Sequence, residues 1–577
     1  MALYQEVKGN LSFLLIVDSS LNHTFPVVKE GIIPALHHFG IPYQVMDLAR
    51  SPLLKRFSSF PGIIIGQEHL GKSFTPEITR FFIEKIKQGT GLVSFDAFLG
   101  EYPPEWLDFI GIFPGRVVLT SLIKLKNANH YITSTHPKEE IKKLKKPLEL
   151  TLVNIRKERM GVLFIDGEKN PALLVGFLEK GRFVQFVLSA KLWILDYFGH
   201  TEGLDDVFWK SIIWIAKKPV VMKAMPPFVT ARIDDASGTA NIFGKKRNSA
   251  NKKFRYLDTL NRYGYIPNVG LFIDDIISED ISTMRIKYEE GKAEFSPHAF
   301  TDPQNIGEKL IYMKHSGEEF SEKELEDNFR RVDKKFFSWG MKPSRVVNAH
   351  FAEIGINSLP FLKERGQIYT MNIIRFGRAY ADPKGRDWNP KPYGYCGFIF
   401  DYMPEDNSFF NVISHPFISL KDDSTAPRFD FLWGCTPFWK ESPYNEVEKA
   451  AKRGAEQIKR GLDNLFFGCL MTHEQRIATL SIEEWERILS LINETITSYK
   501  PIFVGYDYIA QYAKSKIESR LTKAHYIPEA RKIECYLEGK TNILTKLYIF
   551  IERKGEIEYT LGDIPPFQKS IDVSFKL

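Results

Sequence analysis

The chain has 577 residues, a formal net charge of +7 and 44% hydrophobic residues. That length exceeds what one hydrophobic core organises, so several domains are expected. The composition excludes a disordered chain, and a mild positive charge spread along the sequence does not argue for nucleic acid. No segment is long and apolar enough to span a bilayer, and no basic-then-apolar leader opens the sequence, so the expected location is cytoplasmic. The cysteines Cys396, Cys435, Cys469 and Cys535 form no C-x-x-C pair, which argues against a zinc knuckle or a disulfide framework.

Residues 1–220 alternate between short apolar runs and helical spacing. Phe13–Val17, Tyr43–Met46, Gly62–Gly66 and Leu92–Phe95 read as strands, while Phe25–Phe39 and Thr75–Gln88 read as helices ending at glycines. Such alternation predicts a parallel, doubly wound sheet. Strand-rich sequence follows from about Val117 to Phe186, then a helix from Asp205 to Lys217. The layout resembles the class I glutamine amidotransferase-like, flavodoxin-like fold. That chemistry needs a cysteine nucleophile at a sharp strand-to-helix turn. No cysteine precedes Cys396, and Gly66-Gln67-Glu68 stands where the turn would be. The domain is therefore expected to be non-catalytic, either structural or an auxiliary sugar-binding surface, with His23, His69 and His200 on surface loops.

Prolines at 219, 226 and 227 mark a boundary, and residues 221–518 form the next expected domain. It opens on Phe228-Val-Thr-Ala-Arg232-Ile-Asp234-Asp235-Ala-Ser-Gly238, an apolar run delivering two carboxylates to a strand end. Downstream, His298 and Asp302 are four residues apart, which on a helical turn would put an imidazole and a carboxylate on one face. Three further runs end in histidine: Arg345-Val-Val-Asn348-Ala-His350, Phe410-Asn-Val-Ile-Ser414-His415 and Leu465 to His473. Catalytic groups of β/α barrels sit at C-terminal strand ends. The remaining residues, 519–577, show short alternating segments expected to form a small antiparallel β module.

The order of these stretches resembles the polysaccharide deacetylase family, carbohydrate esterase family 4, of the nodulation-deacetylase type. Arg232-Ile-Asp234-Asp235-Ala stands for that family's Thr-Phe-Asp-Asp-Gly, and His298-Ala-Phe-Thr-Asp302 for its His-Ser/Thr-x-x-His. Asn348-Ala-His350-Phe351 falls near its Arg-Pro-Pro-Tyr, and Leu470-Met-Thr-His473 near its Leu-x-His. Aspartate replaces the second histidine, and the arginine of the third motif is missing. The fourth motif has only Arg386-Asp387-Trp388 or Arg375 as candidates.

The resemblance implies a distorted (β/α)7 barrel and a metal-dependent hydrolase that removes N-acetyl or related acyl groups from a carbohydrate. It implies Asp235, His298 and Asp302 as ligands of a divalent metal, Zn2+ with Mn2+ or Co2+ as alternatives. Asp234 becomes the general base and His473 the general acid, with His350, His415 and Asn348 lining the substrate cleft. Two other readings stand beside it: a carbohydrate-binding protein on the same fold whose catalysis has decayed, and a glycoside hydrolase using Asp234 with a second carboxylate.

Overall fold

The computed structural model describes residues 9–50, 60–156, 158–241, 248–301, 309–379, 400–413, 430–440 and 442–577. The expected site residues Asp302 and His415 lie outside these residues, as do Arg386, Asp387 and Trp388. The protein is a mixed α/β chain with several sheets, and it divides into two compact units, Met1–Ala224 with Glu518–Leu577, and Met225–Ile517.

The first unit holds a nine-stranded sheet. Strands Tyr43–Asp47, Phe13–Val17, Gly62–Ile65 and Gly91–Ser94 lie side by side in parallel, and Gly181–Phe186 joins Gly91–Ser94 in the same sense. Pro171–Leu178, Met160–Asp166, Ile112–Leu125 and Ile141–Ile155 continue the sheet antiparallel. Phe13–Val17, Gly62–Ile65 and Gly91–Ser94 are buried at every position, as inner parallel strands covered on both faces are, whereas the edge strand Tyr43–Asp47 exposes Gln44 and Val45. Helix Pro76–Lys87 packs Ile78, Phe82, Ile83 and Ile86 inward and starts at Thr75, whose side chain accepts the Ile78 amide. Residues 519–577 belong to this unit. Their strands join Gly9–Asn10 in one antiparallel sheet and Val220–Met222 in another. His200, expected on the surface, is instead 3% exposed, with its ring nitrogens 2.7 Å from Asp205 Oδ1 and 2.8 Å from the Gly31 carbonyl oxygen. Burial of Trp193 against that ring explains the difference.

The second unit is organised around Phe228–Ala236. This strand runs parallel to Pro267–Phe272 on one side and Gly468–His473 on the other, with Glu294–Ala299 beyond Pro267–Phe272. A second small sheet places Val346–Val347, Tyr369–Thr370 and Phe410–Val412 in parallel. Between Glu294–Ala299 and Val346–Val347 two bonds stand in for a ladder: Ser296 Oγ donates to the Val346 carbonyl at 3.0 Å, and the Ser344 amide to the Phe295 carbonyl at 2.8 Å. Among the described residues, no ladder closes the circuit between Phe410–Val412 and Gly468–His473. Helices Arg255–Arg262, Glu322–Trp339, Val447–Asp463 and Ile482–Ile496 bury apolar faces, with Trp485, Ile488, Leu489 and Ile492 among the core. His298 lies within strand Glu294–Ala299, not on a helical turn. Phe295 and Ala299 on one face of that strand and Ser296 and His298 on the other are all buried, and burial on both faces favours extended chain there.

Candidate metal and acid-base site

The site sits where the parallel strands of the second unit end. Asp234 and His473 are register partners on adjacent strands, so one strand end brings a carboxylate beside the imidazole of the next. Successive side chains of a strand point to opposite faces, so Arg232 and Asp234 share a face. Arg232 donates from Nε to both Asp234 oxygens, at 2.9 and 3.1 Å, and from Nη2 to Oδ2 at 2.7 Å. Asn348 completes the cradle, donating from Nδ2 to Asp234 Oδ1 at 2.7 Å while its Oδ1 accepts from Arg232 Nη2 at 3.0 Å. Burial alone would raise the Asp234 carboxyl. The charge and hydrogen bonds of Arg232, with the nearby His298 and His473, together outweigh it and hold the group down at about 2. The carboxylate is thus held by an arginine two residues ahead of it on the same strand.

Asp235 leaves the strand in the left-handed backbone region, at φ 55°. That turn sends its side chain away from Asp234 and toward two imidazoles. Asp235 Oδ1 lies 3.1 Å from His298 Nε2 and 3.2 Å from His350 Nδ1, and the two ring nitrogens are 3.0 Å apart. These three atoms form a compact triangle, the one group of three or more metal-capable side chains found among the described residues. Asp235 Oδ1 is buried with no well-aligned hydrogen bond, whereas Oδ2 accepts from Gln475 Nε2 at 3.0 Å. Burial would raise this carboxyl too, but His350 and His298 hold it well below the ordinary range.

His298 Nδ1 donates to the Asn348 carbonyl oxygen at 2.7 Å. The proton is fixed on that side, and Nε2 presents its lone pair to the triangle. The ring fits only because residue 270 is glycine. A Cβ there would stand 2.8 Å from Asn348 Nδ2 and 3.0 Å from His298 Nδ1. Burial lowers the His350 imidazole and favours its neutral, ligating form.

Three donors around one tetrahedral zinc, at bonds of about 2.0–2.1 Å, stand about 3.3 Å from one another. The observed separations of 3.0 to 3.2 Å fit such an ion, and the orphaned Asp235 oxygen has the electrostatics to meet it. The described donors are therefore Asp235, His298 and His350, with His350 in contact with the other two ligand atoms. Asn348, expected to touch sugar, is 0% exposed and engaged with Arg232, Asp234 and His298.

His473 forms the other half of the site. Its Nδ1 donates to Asp430 Oδ2 at 2.7 Å, and Asp430 also accepts from Thr472 Oγ1 at 2.7 Å and Arg476 Nε at 2.8 Å. Burial works against the imidazolium, but the Asp430 hydrogen bond and the charges of Asp235, Asp430 and Asp234 push His473 up to about 9. It makes no side-chain cap to a helix; Ser481 caps Ile482–Ile496. Asp430, wholly buried, stands in an Arg428-Phe-Asp-Phe-Leu stretch that carries no motif, and nothing in the sequence marks it. Arg375, a candidate for the fourth motif, pairs with Glu405.

No protein-family model and no curated protein matches the sequence. Solved structures resemble parts of the chain. One is a Mycobacterium smegmatis protein with the provisional name polysaccharide deacetylase, at 12% identity and a TM-score of 0.34, covering 51% of this chain and 92% of its own. Another is a provisionally named ThuA-like protein from Parabacteroides merdae, at 15% identity and 0.27, covering 36% and 90%. A third is a cold-adapted β-galactosidase from Rahnella sp. R3, at 10% identity and 0.25, covering 37% and 35%. All three scores are low, and the chemistry rests on the site itself.

Proposed function

We propose that the second unit is a metal-dependent hydrolase that removes N-acetyl or related acyl groups from a carbohydrate. The observation that carries this reading is the triangle of Asp235 Oδ1, His298 Nε2 and His350 Nδ1, set between a guanidinium-held carboxylate and a carboxylate-held imidazole. The carbohydrate comes from the order of the sequence motifs; the hydrolysis comes from the geometry. Asp235, His298 and His350 would hold the ion, with zinc fitting two nitrogens and one carboxylate. A divalent ion bound there supplies a Lewis acid and lowers the pKa of water.

The chain's own groups divide the proton work. Asp234 is ionised at neutral pH, and Arg232 and Asn348 fix its orientation, so it serves as the base that takes a proton from the attacking water. His473 is protonated at neutral pH and gives its Nε2 proton to the departing amine, while Asp430 holds Nδ1 and keeps the ring oriented. At neutral pH the acid is therefore protonated and the base ionised, the state each role starts from.

Two rival chemistries fit less well. A glycoside hydrolase needs one protonated carboxyl at the scissile bond. Asp234 and Asp235 are both held ionised, and Glu474, raised to about 7, is wholly buried and accepts the Ser237 and Gly238 amides. Two histidines and a carboxylate also serve ferrous oxygenases. The paired base and acid beside this triangle favour hydrolysis. Acetate release from N-acetylated glycans by the zinc-loaded protein, absent in the Asp235→Asn variant, tests the proposal. A zinc-loaded protein that releases no acetate from any glycan of a broad panel would count against it.

A further inference from the structure

The first unit carries a histidine in an uncommon backbone state at the carboxyl edge of its parallel strands. The order Tyr43–Asp47, Phe13–Val17, Gly62–Ile65, Gly91–Ser94 reverses direction between Phe13–Val17 and Gly62–Ile65. In open α/β sheets the loops leaving two such strands frame a ligand crevice. His23 lies on the loop after the first strand and His69 on the loop after the second.

His69 has φ 65° and ψ 17°, in the left-handed region that residues other than glycine seldom occupy. Strain of this kind gathers at functional positions. Its Nδ1 is 2.9 Å from both Glu101 carboxylate oxygens, and its ring stacks on Phe98 with centroids 3.9 Å apart. Lys72 Nζ, 3.1 Å from Glu101 Oε1, steadies the same carboxylate. With the proton held on Nδ1, the lone pair is on Nε2, in a side chain still 18% exposed. The exposed His23 ring stands 5.3 Å from the His69 ring, centroid to centroid. Two imidazoles sharing one tetrahedral ion through bonds of about 2.0–2.1 Å have ring centres about 5 Å apart. A carboxylate behind the far nitrogen is the usual support of a metal-binding histidine.

We propose that His23 and His69 form a second divalent transition-metal site, with Glu101 as the outer carboxylate that fixes the His69 tautomer. Two neutral nitrogen donors select zinc, nickel or copper over magnesium and calcium, and the remaining coordination positions are open to water or a ligand. The inference is independent of the reading of the Asp235 site.

The test is calorimetric titration of the chelator-stripped, full-length protein with Zn2+. His23→Ala and His69→Asn are each expected to remove one zinc equivalent; asparagine tolerates the left-handed backbone, so His69→Asn preserves the turn. Glu101→Gln should keep that equivalent but weaken it about 10–100-fold. Asp235→Asn should leave it untouched, which separates this site from the other. Zinc stoichiometry unchanged in both histidine variants would overturn the proposal. So would a Glu101→Gln protein indistinguishable from the parent, which would reduce the site to an adventitious surface pair.

Discussion

Asp430 Oδ2 accepts the Nδ1 proton of His473 at 2.7 Å, and that bond orients the imidazole and is the largest of the contributions that favour its charged form. Asp430 is itself anchored by Thr472 and Arg476, and its carboxyl is lowered, because Arg476, His473 and Thr472 together outweigh its burial. The groups acting on His473 are Asp430, Asp234 and Asp235, and all three favour its charged form.

A pH dependence follows. His473 is raised to about 9, so its protonated form, and the activity that needs it, should persist through neutral pH and fall as pH rises through about 9. Asp430→Asn removes the largest favourable contribution and should move that alkaline limb downward, which a kcat–pH profile would read. The stability linked to this pair has the same sign. It is fully present below the ordinary histidine value near 6.5 and is lost as pH rises through about 9. An Asp430→Asn profile superimposable on the parent's would remove Asp430 from this role.

His473→Ala should lower kcat by roughly 10²–10⁴ with zinc content unchanged, since its loss removes a proton donor and no ligand. A variant that loses zinc as well would make His473 a ligand.

Arg232 and Asp234 form a buried pair, with the two residues 5% and 4% exposed. Removing the arginine leaves an uncompensated buried carboxylate, a change that costs about 3–5 kcal/mol. Arg232→Met should therefore lower the midpoint of chemical denaturation markedly, and Arg232→Met with Asp234→Leu should recover much of it. Equal destabilisation in the single and double variants would contradict the pairing.

Gly270→Ala tests the packing behind the metal triangle. Its new Cβ would press on Asn348 and His298 at 2.8 and 3.0 Å. Overpacking of this kind costs about 1–3 kcal/mol, and here the displaced group is one of the three proposed ligands. Zinc affinity should fall; unchanged affinity would show that the His298 ring is free to shift.

The strands that carry this site were legible in the sequence because they are apolar runs ending in polar residues. Asp234, Asp235 and His473 could all be placed at strand ends from that pattern alone. The contact of His350 with Asp235 and His298 was not, because it depends on how a two-residue strand, Val346–Val347, approaches Glu294–Ala299. The role of Arg232 has no sequence signal, since its alternation with Asp234 carries meaning only once the strand is seen to be buried. Asp430 is joined to His473 across 43 positions of sequence, and no local pattern predicts such a contact. In the first unit the parallel strands followed from alternation, whereas the association of Val220–Met222 with Thr545–Arg553 rests on a pairing of distant segments.

On the function proposed above, Asp235, His298 and His350 would hold a catalytic ion for deacylation of a carbohydrate. The most direct measurement is acetate release from a panel of N-acetylated glycans by zinc-loaded protein, run beside chelator-treated protein and the His350→Ala variant. Release that requires zinc and is abolished in His350→Ala is the predicted result. No release from the loaded parent, or release undiminished in His350→Ala, would contradict it.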